Sequence, residues 1–346
     1  MTDTTVPADR SPWKAQIAPY ATASVPRSIL DLLTSVVPYL LLSALMVVML
    51  NVLDLTYWVV LPVGVLAAGF LLRTYIVFHD CTHGSFLPTK KGNHILGASM
   101  GVIVFTGFTA WRHSHAVHHA TAGDLDRRGT GDVPVMTVEE YLSAPLMTRF
   151  AYRAFRNPIV MFGLGWLWGL VIQPRLVSKD ARPRIKRSVW LTNAVLAVLV
   201  PTLCLTIGWQ TYLLVQGTTA AIAGSAGVFL FYVQHQFEDA YWENTDTWDY
   251  ADAALRGSSY LRLPQPLQFF TGNIGLHHVH HLSARVPNYK LQAAHDGLPL
   301  FGNVPTLSLW DALKAARLKV WCGDQGRLLR WSEVRALRQA RLATAT

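Results

Sequence analysis

Charge-free stretches alternate with strongly basic ones along the chain, and that alternation predicts its elements. Residues 32–53 contain no charged side chain, and a second such run, 55–72, follows the single Asp54. That second run stays apolar past Arg73 to Phe78. Residues 188–237 also lack Asp, Glu, Lys and Arg. A bilayer-crossing helix takes about 20 residues, so this last stretch has room for two spans joined by a tight turn near 208–211. The pattern predicts two helical hairpins, four transmembrane helices in all. Pro38, Pro62, Gly64, Pro201, Gly224 and Gly227 fall inside them. A bilayer tolerates these because neighbouring helices re-satisfy the backbone. The polar residues 1–28, with Arg10, Lys14 and Arg27, precede the first run. That run is too long for a signal-peptide core and is followed by no small-residue cleavage site, so it is expected to be retained as a membrane helix.

Two shorter charge-free runs, 92–111 and 157–174, complicate this picture, because each could cross the membrane and give six spans. The distribution of basic residues argues otherwise. Of the 30 Lys and Arg, three lie in 1–28, fourteen in 79–187 and twelve in 234–346, and Arg73 is the remaining one. The predicted outer turns, 51–56 and 208–211, have none. With four spans all the loop charges share one side, which the positive-inside rule makes cytoplasmic. Six spans would put Arg112, Arg127, Arg128, Arg149, Arg153 and Arg156 outside. The formal net charge of +9 then describes a basic face suited to anionic lipid and acidic proteins. Scattered over membrane-proximal loops, it is not expected to bind nucleic acid. Only Cys81, Cys204 and Cys322 occur, and none is predicted on the outer face, so a disulfide framework is not expected.

Eight of the thirteen histidines form three clusters: His79 and His83; His115, His118 and His119; His277, His280 and His281. Spacings of three and four put side chains on one face of a helix, so each cluster aims at a common point. Eight imidazoles exceed what one ion takes and suit two. Metal ligands lie about 2 Å from their ion, so the three clusters must share one side of the membrane. Residues 92–111 are therefore expected to dip into the cytoplasmic leaflet as a helix or helical pair. Residues 157–174, with Trp166 and Trp168, are expected at the interface. Imidazole-rich sites select iron, zinc, copper or nickel. Structural zinc is the weaker choice, being usually satisfied by four ligands that are often cysteines. A redox pair with open positions could activate dioxygen against an unactivated C–H bond, chemistry that belongs to the cofactor. The competing class is a histidine-rich metal transporter, which would place ionisable groups near mid-membrane. Cys81 points away from the histidine face and is not counted as a ligand.

The boxes, their order and the intervening hairpins resemble those of the membrane fatty acid desaturases, from the first hairpin to about Leu298. The shorter spacing of His79 and His83 resembles the acyl-lipid branch, and the third box opens with His277 rather than the Gln of front-end enzymes. The haem signature of a fused cytochrome b5 domain is absent. The resemblance implies a bacterial-type, O2-dependent acyl-lipid desaturase with two iron ions and O2 as co-substrate. Its electrons would come from ferredoxin or a similar acidic donor, and its substrate would be a membrane lipid acyl chain. Related diiron enzymes hydroxylate or oxidise carotenoids and alkanes, so the boxes specify the metal chemistry better than the substrate. The resemblance also implies a ninth ligand, His235, at the inner end of the fourth helix. His278 is expected to turn away from its neighbours. His94, His113 and His295 are expected to be structural or supporting. Asp80, Asp126, Glu238 and Asn273 are candidates to hold ligand rings by hydrogen bonds. Trp111 is expected to line the acyl slot, and Arg112 to pair with a carboxylate or lipid phosphate. Tyr241 and Trp242 are expected to pack nearby.

The expected fold is thus an all-α integral membrane protein, with four transmembrane helices in two hairpins and a cytoplasmic helical cap holding a histidine-rich dimetal site. Both termini are expected to be cytoplasmic, at the bacterial inner membrane. The expected units are 1–28, an N-terminal segment; 29–298, the membrane domain with its cap; and 299–346, a C-terminal tail. Thr137 with Glu140 and Ser308 with Asp311 read as capping boxes. After the second, Leu309, Leu313 and Leu318 alternate with Lys314, Arg317 and Lys319 in an amphipathic pattern. Residues 319–321 and 327–329 are expected to form a small hairpin.

Overall fold

The computed structural model describes residues 12–344; Arg10 lies outside them. Among the described residues, four helices are long and apolar enough to cross a membrane: α1 (Val25–Asn51), α2 (Tyr57–His83), and, after two shorter helices α3 (Lys90–Ile103) and α4 (Phe108–Thr121), α5 (Pro183–Ile207) and α6 (Trp209–His235). A further short helix, α7 (His277–Leu282), carries the third histidine cluster. The chain is a mostly helical membrane protein whose spans fall where the charge-free runs placed them.

α2 is the central and most buried span, packed between α1 and α6. The exposed faces of the spans are apolar, as on α1 with Leu33, Leu40, Leu41 and Leu45. The buried face of α1 is instead polar, with Ser28, Asp31, Ser35 and Tyr39 at helical spacing. Hydrocarbon is as apolar as leucine, so polar groups rather than leucines belong between the helices. α2 stops directly after His83 because Gly84 adopts φ 70°, a left-handed cap whose N–H bonds back to Asp80 and Cys81 carbonyls.

α3 and α4 meet at a bend of 102°. The turn is made by Phe105 at φ 56° and closed by a bond from Thr106 N to Gly101 O of 2.7 Å. A Cβ on Gly101 would stand 2.5 Å from the Thr106 carbonyl, so the turn requires glycine there. Arg175 clamps the bend, donating to the Phe105 carbonyl and to Asn193 Oδ1 (2.6 Å). The bent pair puts α4 beside α2. A bend of 68° separates the second short run, within Pro158–Arg175, from the preceding helix Leu146–Phe155, and Trp168 in that run is exposed.

The histidine side is covered by a cap that contains a little β-structure besides helices. β1 (Met136–Thr137) pairs in parallel with β2 (Leu318–Cys322), and β2 pairs antiparallel with β3 (Arg327–Arg330). The hairpin falls where the alternation put it, and both capping boxes are formed. Leu318, grouped with an amphipathic helix from its spacing, instead lies buried in β2, because that helix ends at Ala315. Residues 299–346 are therefore joined to the loop after the second box rather than trailing from it. Arg156, fully buried, bolts this joint: its guanidinium donates to the Pro134 carbonyl (3.0 Å), Tyr232 Oη (3.1 Å), Gln236 Oε1 (3.0 Å) and the Leu318 carbonyl (3.1 Å). Lys319 Nζ donates to the carbonyls of Arg156 (2.7 Å) and Ala316 (2.6 Å). Burial, with Arg156 as the lesser cause, pushes the Lys319 ammonium pKa down to about 8.

Candidate metal centre

Nine histidines from four elements converge beneath the spans in two groups. His79, His83, His115, His119 and His280 form one, and His118, His235, His277 and His281 the other. Within each group, one ring nitrogen per residue lies within 4.8 Å of all the others. These are the nine positions singled out in the sequence. α2 contributes two rings from its last turn and α4 three from consecutive turns. α6 ends on one, and α7 brings three. His115 Nε2 is 3.0 Å from His79 Nε2. A six-span arrangement that parts the second box from the first by a bilayer is incompatible with that contact.

The protons on these rings decide what the groups can hold. His118 turns Nδ1 to the Asp132 carboxylate, and His235 turns Nδ1 to the Gly257 carbonyl at 3.2 Å. Both partners only accept hydrogen bonds, so each neutral ring carries its proton on Nδ1. The two Nε2 lone pairs then face one another at 3.2 Å. The same holds for His79, whose Nδ1 donates to Asp80 Oδ1 at 3.1 Å while its Nε2 meets those of His83 (3.3 Å) and His115 (3.0 Å). The His280 and His281 Nε2 atoms are buried with no hydrogen-bond partner. Protonating the rings is no remedy. Burial first, and neighbouring histidines second, hold His277, His280 and His281 well below the ordinary histidine range. Converging lone pairs in a buried pocket need a cation, and the residues fit a metal ion in each group.

The first group offers five imidazoles, one more than the four ligands that usually satisfy structural zinc.

Of the four candidate supporting residues, only Asp80 reaches a histidine. Asp126 accepts from Thr245 N (2.9 Å), Glu238 pairs with Arg327 (3.1 Å) at the surface, and Asn273 donates to the Asn288 carbonyl (3.1 Å). The reasons are local. α4 ends at Thr121 and α6 at His235, so helical spacing does not extend to 126 or 238. Asn273, four before His277, sits at φ 58° in a turn outside α7.

Asp132 takes the role instead, delivered by the loop after α4. A Cβ on the preceding Gly131 would stand 2.9 Å from the Ser114 carbonyl and 3.1 Å from His118 Cβ, so only glycine lets the loop approach. That close glycine was the available signal. Asp80 is held in turn by Asn288, which donates N–H (2.7 Å) and Nδ2 (3.0 Å) to its Oδ2.

Trp111 stacks on His115 at 4.1 Å and meets His79 at 5.6 Å. Arg112 is exposed and has no ion pair among the described residues. His278 turns away, with its Nε2 3.0 Å from His295 Nδ1. His94 and His113 are exposed, and Cys81 is buried outside both groups. Tyr241 and Trp242 border a small cavity beside His118 and His235.

The sequence profile of the fatty acid desaturase family matches residues 56–302, which include every one of these histidines. The chain belongs to the fatty acid desaturase family. It is 44% identical over 324 residues to a fatty acid desaturase of Bacillus subtilis (strain 168), covering 94% of this chain and 91% of that one. More distant relatives include the sn-1 oleoyl-lipid 12-desaturase of Synechocystis sp. (25% over 254 residues; 70% of this chain and 69% of the relative). A chloroplastic omega-6 fatty acid desaturase of Glycine max is 28% identical over 255 residues, 70% of this chain and 57% of the relative. Family membership makes the protein an oxidoreductase of the desaturase type, with histidine groups suited to a dimetal centre.

Proposed function

We propose that the protein introduces a double bond into a lipid-linked acyl chain, using two iron ions, O2 and electrons from ferredoxin or a similar acidic donor. The observation that carries the reading is the pair of bare nitrogens of His118 and His235, whose protons are both pinned on the far side of the ring. That arrangement asks for a cation at the second group as firmly as at the first, and a two-ion centre suits the two-electron chemistry. Irons held there would supply the reduction of dioxygen and the removal of hydrogen from an unactivated methylene, which no acid–base side chain performs alone. In balance, two hydrogens from adjacent carbons, with two electrons and two protons from the donor side, reduce one O2 to two waters.

The chain's own residues hold the centre in place. Asp80 and Asp132 keep the protons of His79 and His118 on Nδ1, raising the basicity of Nε2. Trp111 closes the histidine pocket against the apolar side and excludes water there. The shared side of all nine histidines, with the basic loops around them, supports a cytoplasmic location for the centre and for both termini, at the bacterial inner membrane. The acyl-lipid relatives support a lipid-linked substrate.

The test is expression of the full chain with a ferredoxin and its reductase in a bacterium lacking desaturases, followed by lipid analysis and metal counting. New double bonds with about two irons per chain are expected, and His118→Ala should remove the product while the protein still inserts. Alcohols or oxygenated carotenoids would replace the reading with a hydroxylase or ketolase. Exchangeable zinc with metal uptake would replace it with a transporter.

A further inference from the structure

A groove of about 420 Å³ opens beside the histidine pocket, between α4 and the segment that leads into α5. Its volume falls in the range of small-molecule sites, about 300–1,000 Å³. The groove is divided along its length. Trp111, Pro174, Leu176, Ile185 and Val189 make an apolar wall, while Ser178, Asp180 and Arg182 form its polar side. The inner wall is the Trp111 ring, which stacks on His115 and meets His79, with Tyr75 and Phe78 also against it. A chain lying in the groove is therefore one aromatic ring from the five-histidine group.

Leu176 in the groove's wall, and Ile172, Trp190 and Leu191 in the chain on either side of it, are exposed although each is large and apolar, a surface suited to lipid. Trp190, one to two turns inside α5, marks the headgroup level as aromatic residues do at membrane interfaces. Charge at this level is strongly of one sign. Residues 173–188 hold six Lys and Arg against the single Asp180. Arg182 is exposed at the start of α5 and has no ion pair among the described residues. Arg175, by contrast, is tied to Asn193 and the Phe105 carbonyl, and Lys186 to the Lys179 carbonyl. An apolar slot open to lipid, with a free guanidinium at headgroup depth, matches one class of molecule.

We propose that this groove binds a phospholipid, with Arg182 holding the phosphate and one acyl chain lying along Trp111. The assignment deepens the acyl-lipid reading given above and rests on it for the fate of the bound chain. It also separates the two charges that a sequence comparison would treat alike: Arg182 faces the groove and Arg184, two residues on, does not line it.

The test uses the full chain in detergent micelles and a phosphatidylglycerol carrying a photoactivatable diazirine at the middle of one acyl chain. Labelling is expected in the peptides spanning 106–114 and 173–189. Unlabelled phosphatidylglycerol should compete better than a diacylglycerol with the same chains by about fivefold, the effect of one basic residue near a lipid phosphate. Inorganic phosphate should not compete. Arg182→Glu should abolish the advantage, whereas Arg184→Glu should keep it. Both residues are exposed, so neither change threatens folding. Labelling elsewhere, equal competition by diacylglycerol, competition by inorganic phosphate, or equal losses in the two variants would each overturn the assignment. Double-bond formation is measured on the same preparations. Labelled groove without product leaves this site standing and removes the desaturase reading; product with labelling elsewhere does the reverse.

Discussion

Removing the carboxylate of Asp132 should empty one metal site and leave the other filled. The side chain does one thing for the centre: it accepts the Nδ1 proton of His118, so that Nε2 faces His235 as a bare lone pair. Asp132→Asn keeps an acceptor oxygen but exchanges a charge-assisted bond, about 1.5–3 kcal/mol, for a neutral one of about 0.5–1.5 kcal/mol. The difference, about 1 kcal/mol, corresponds to roughly a fivefold weaker hold on the ion of the four-histidine group. Asp132→Ala removes the acceptor altogether and should cost about 10–100-fold, the usual effect of deleting a carboxylate behind a ligating histidine. His79, the nearest ring of the other group to have a carboxylate, is served by Asp80 and should not notice either change. The assay is metal content per chain after equilibration against a graded series of chelator concentrations. Wild type should release its two ions together, Asp132→Ala should release one at a 10–100-fold lower chelator strength, and Asp132→Asn should fall between them. If Asp132→Ala keeps both ions across the wild-type range, the proton argument for the His118–His235 pair is wrong.

Two other outcomes follow from the same structure. His235→Ala should lower the metal content to about one ion per chain and abolish product, while His278→Ala should keep both ions, because His278 lies outside the groups and bonds His295; atomic absorption on the two purified variants separates them. The buried Lys319 should make stability depend on pH in an unusual direction. Its pKa, about 8 when folded against 10.5 in an exposed lysine, means that the unfolded chain binds the extra proton between those values. Stability therefore rises with pH across that window, by at most about 3 kcal/mol. The Tm of the wild type relative to Lys319→Met should climb from pH 8 to pH 10, and a flat difference would show that the ammonium is solvated.

How much of this was legible in the chain differs by kind of contact. The spans were, because charge-free runs of about 20 mostly apolar residues have few alternatives to a membrane helix. A helical pair α3–α4 that brings His115 to His79 followed from requiring the two to meet, a constraint of chemistry rather than of hydropathy. His235 came from family resemblance alone, since a single histidine at a helix end carries no spacing. The supporting acids show where such reasoning fails. Asp126, Glu238 and Asn273 lie near the histidines in sequence but outside the helices that carry them, whereas Asp132 arrives through a loop. Parallel pairing of Met136 and Thr137 with Val320 and Trp321 joins segments nearly two hundred residues apart, and no local pattern announces it.

The first membrane helix carries a second lesson, because its one buried charge lies just before the apolar run. Asp31 pairs with Arg73 of α2, which also donates to the Phe269 carbonyl. The other oxygen of Asp31 accepts from Asn288 Nδ2 at 2.9 Å, and Asn288 in turn holds Asp80 behind His79. A buried ion pair is weak evidence for stability, since desolvation offsets most of its attraction. Its better-supported use is to fix register. Slipping α1 by one residue would swing Asp31 about 100° around the helix axis, breaking its bonds to both α2 and Asn288. Leucines facing lipid would resist such a slip very little, because every rotation leaves them in hydrocarbon. The polar chain Arg73–Asp31–Asn288–Asp80–His79 supplies what they cannot, a single register for α1 against α2 and the loop before Tyr289. It ends on a ring of the five-histidine group, so the hairpin that anchors the protein in the membrane also sets the orientation of a candidate ligand.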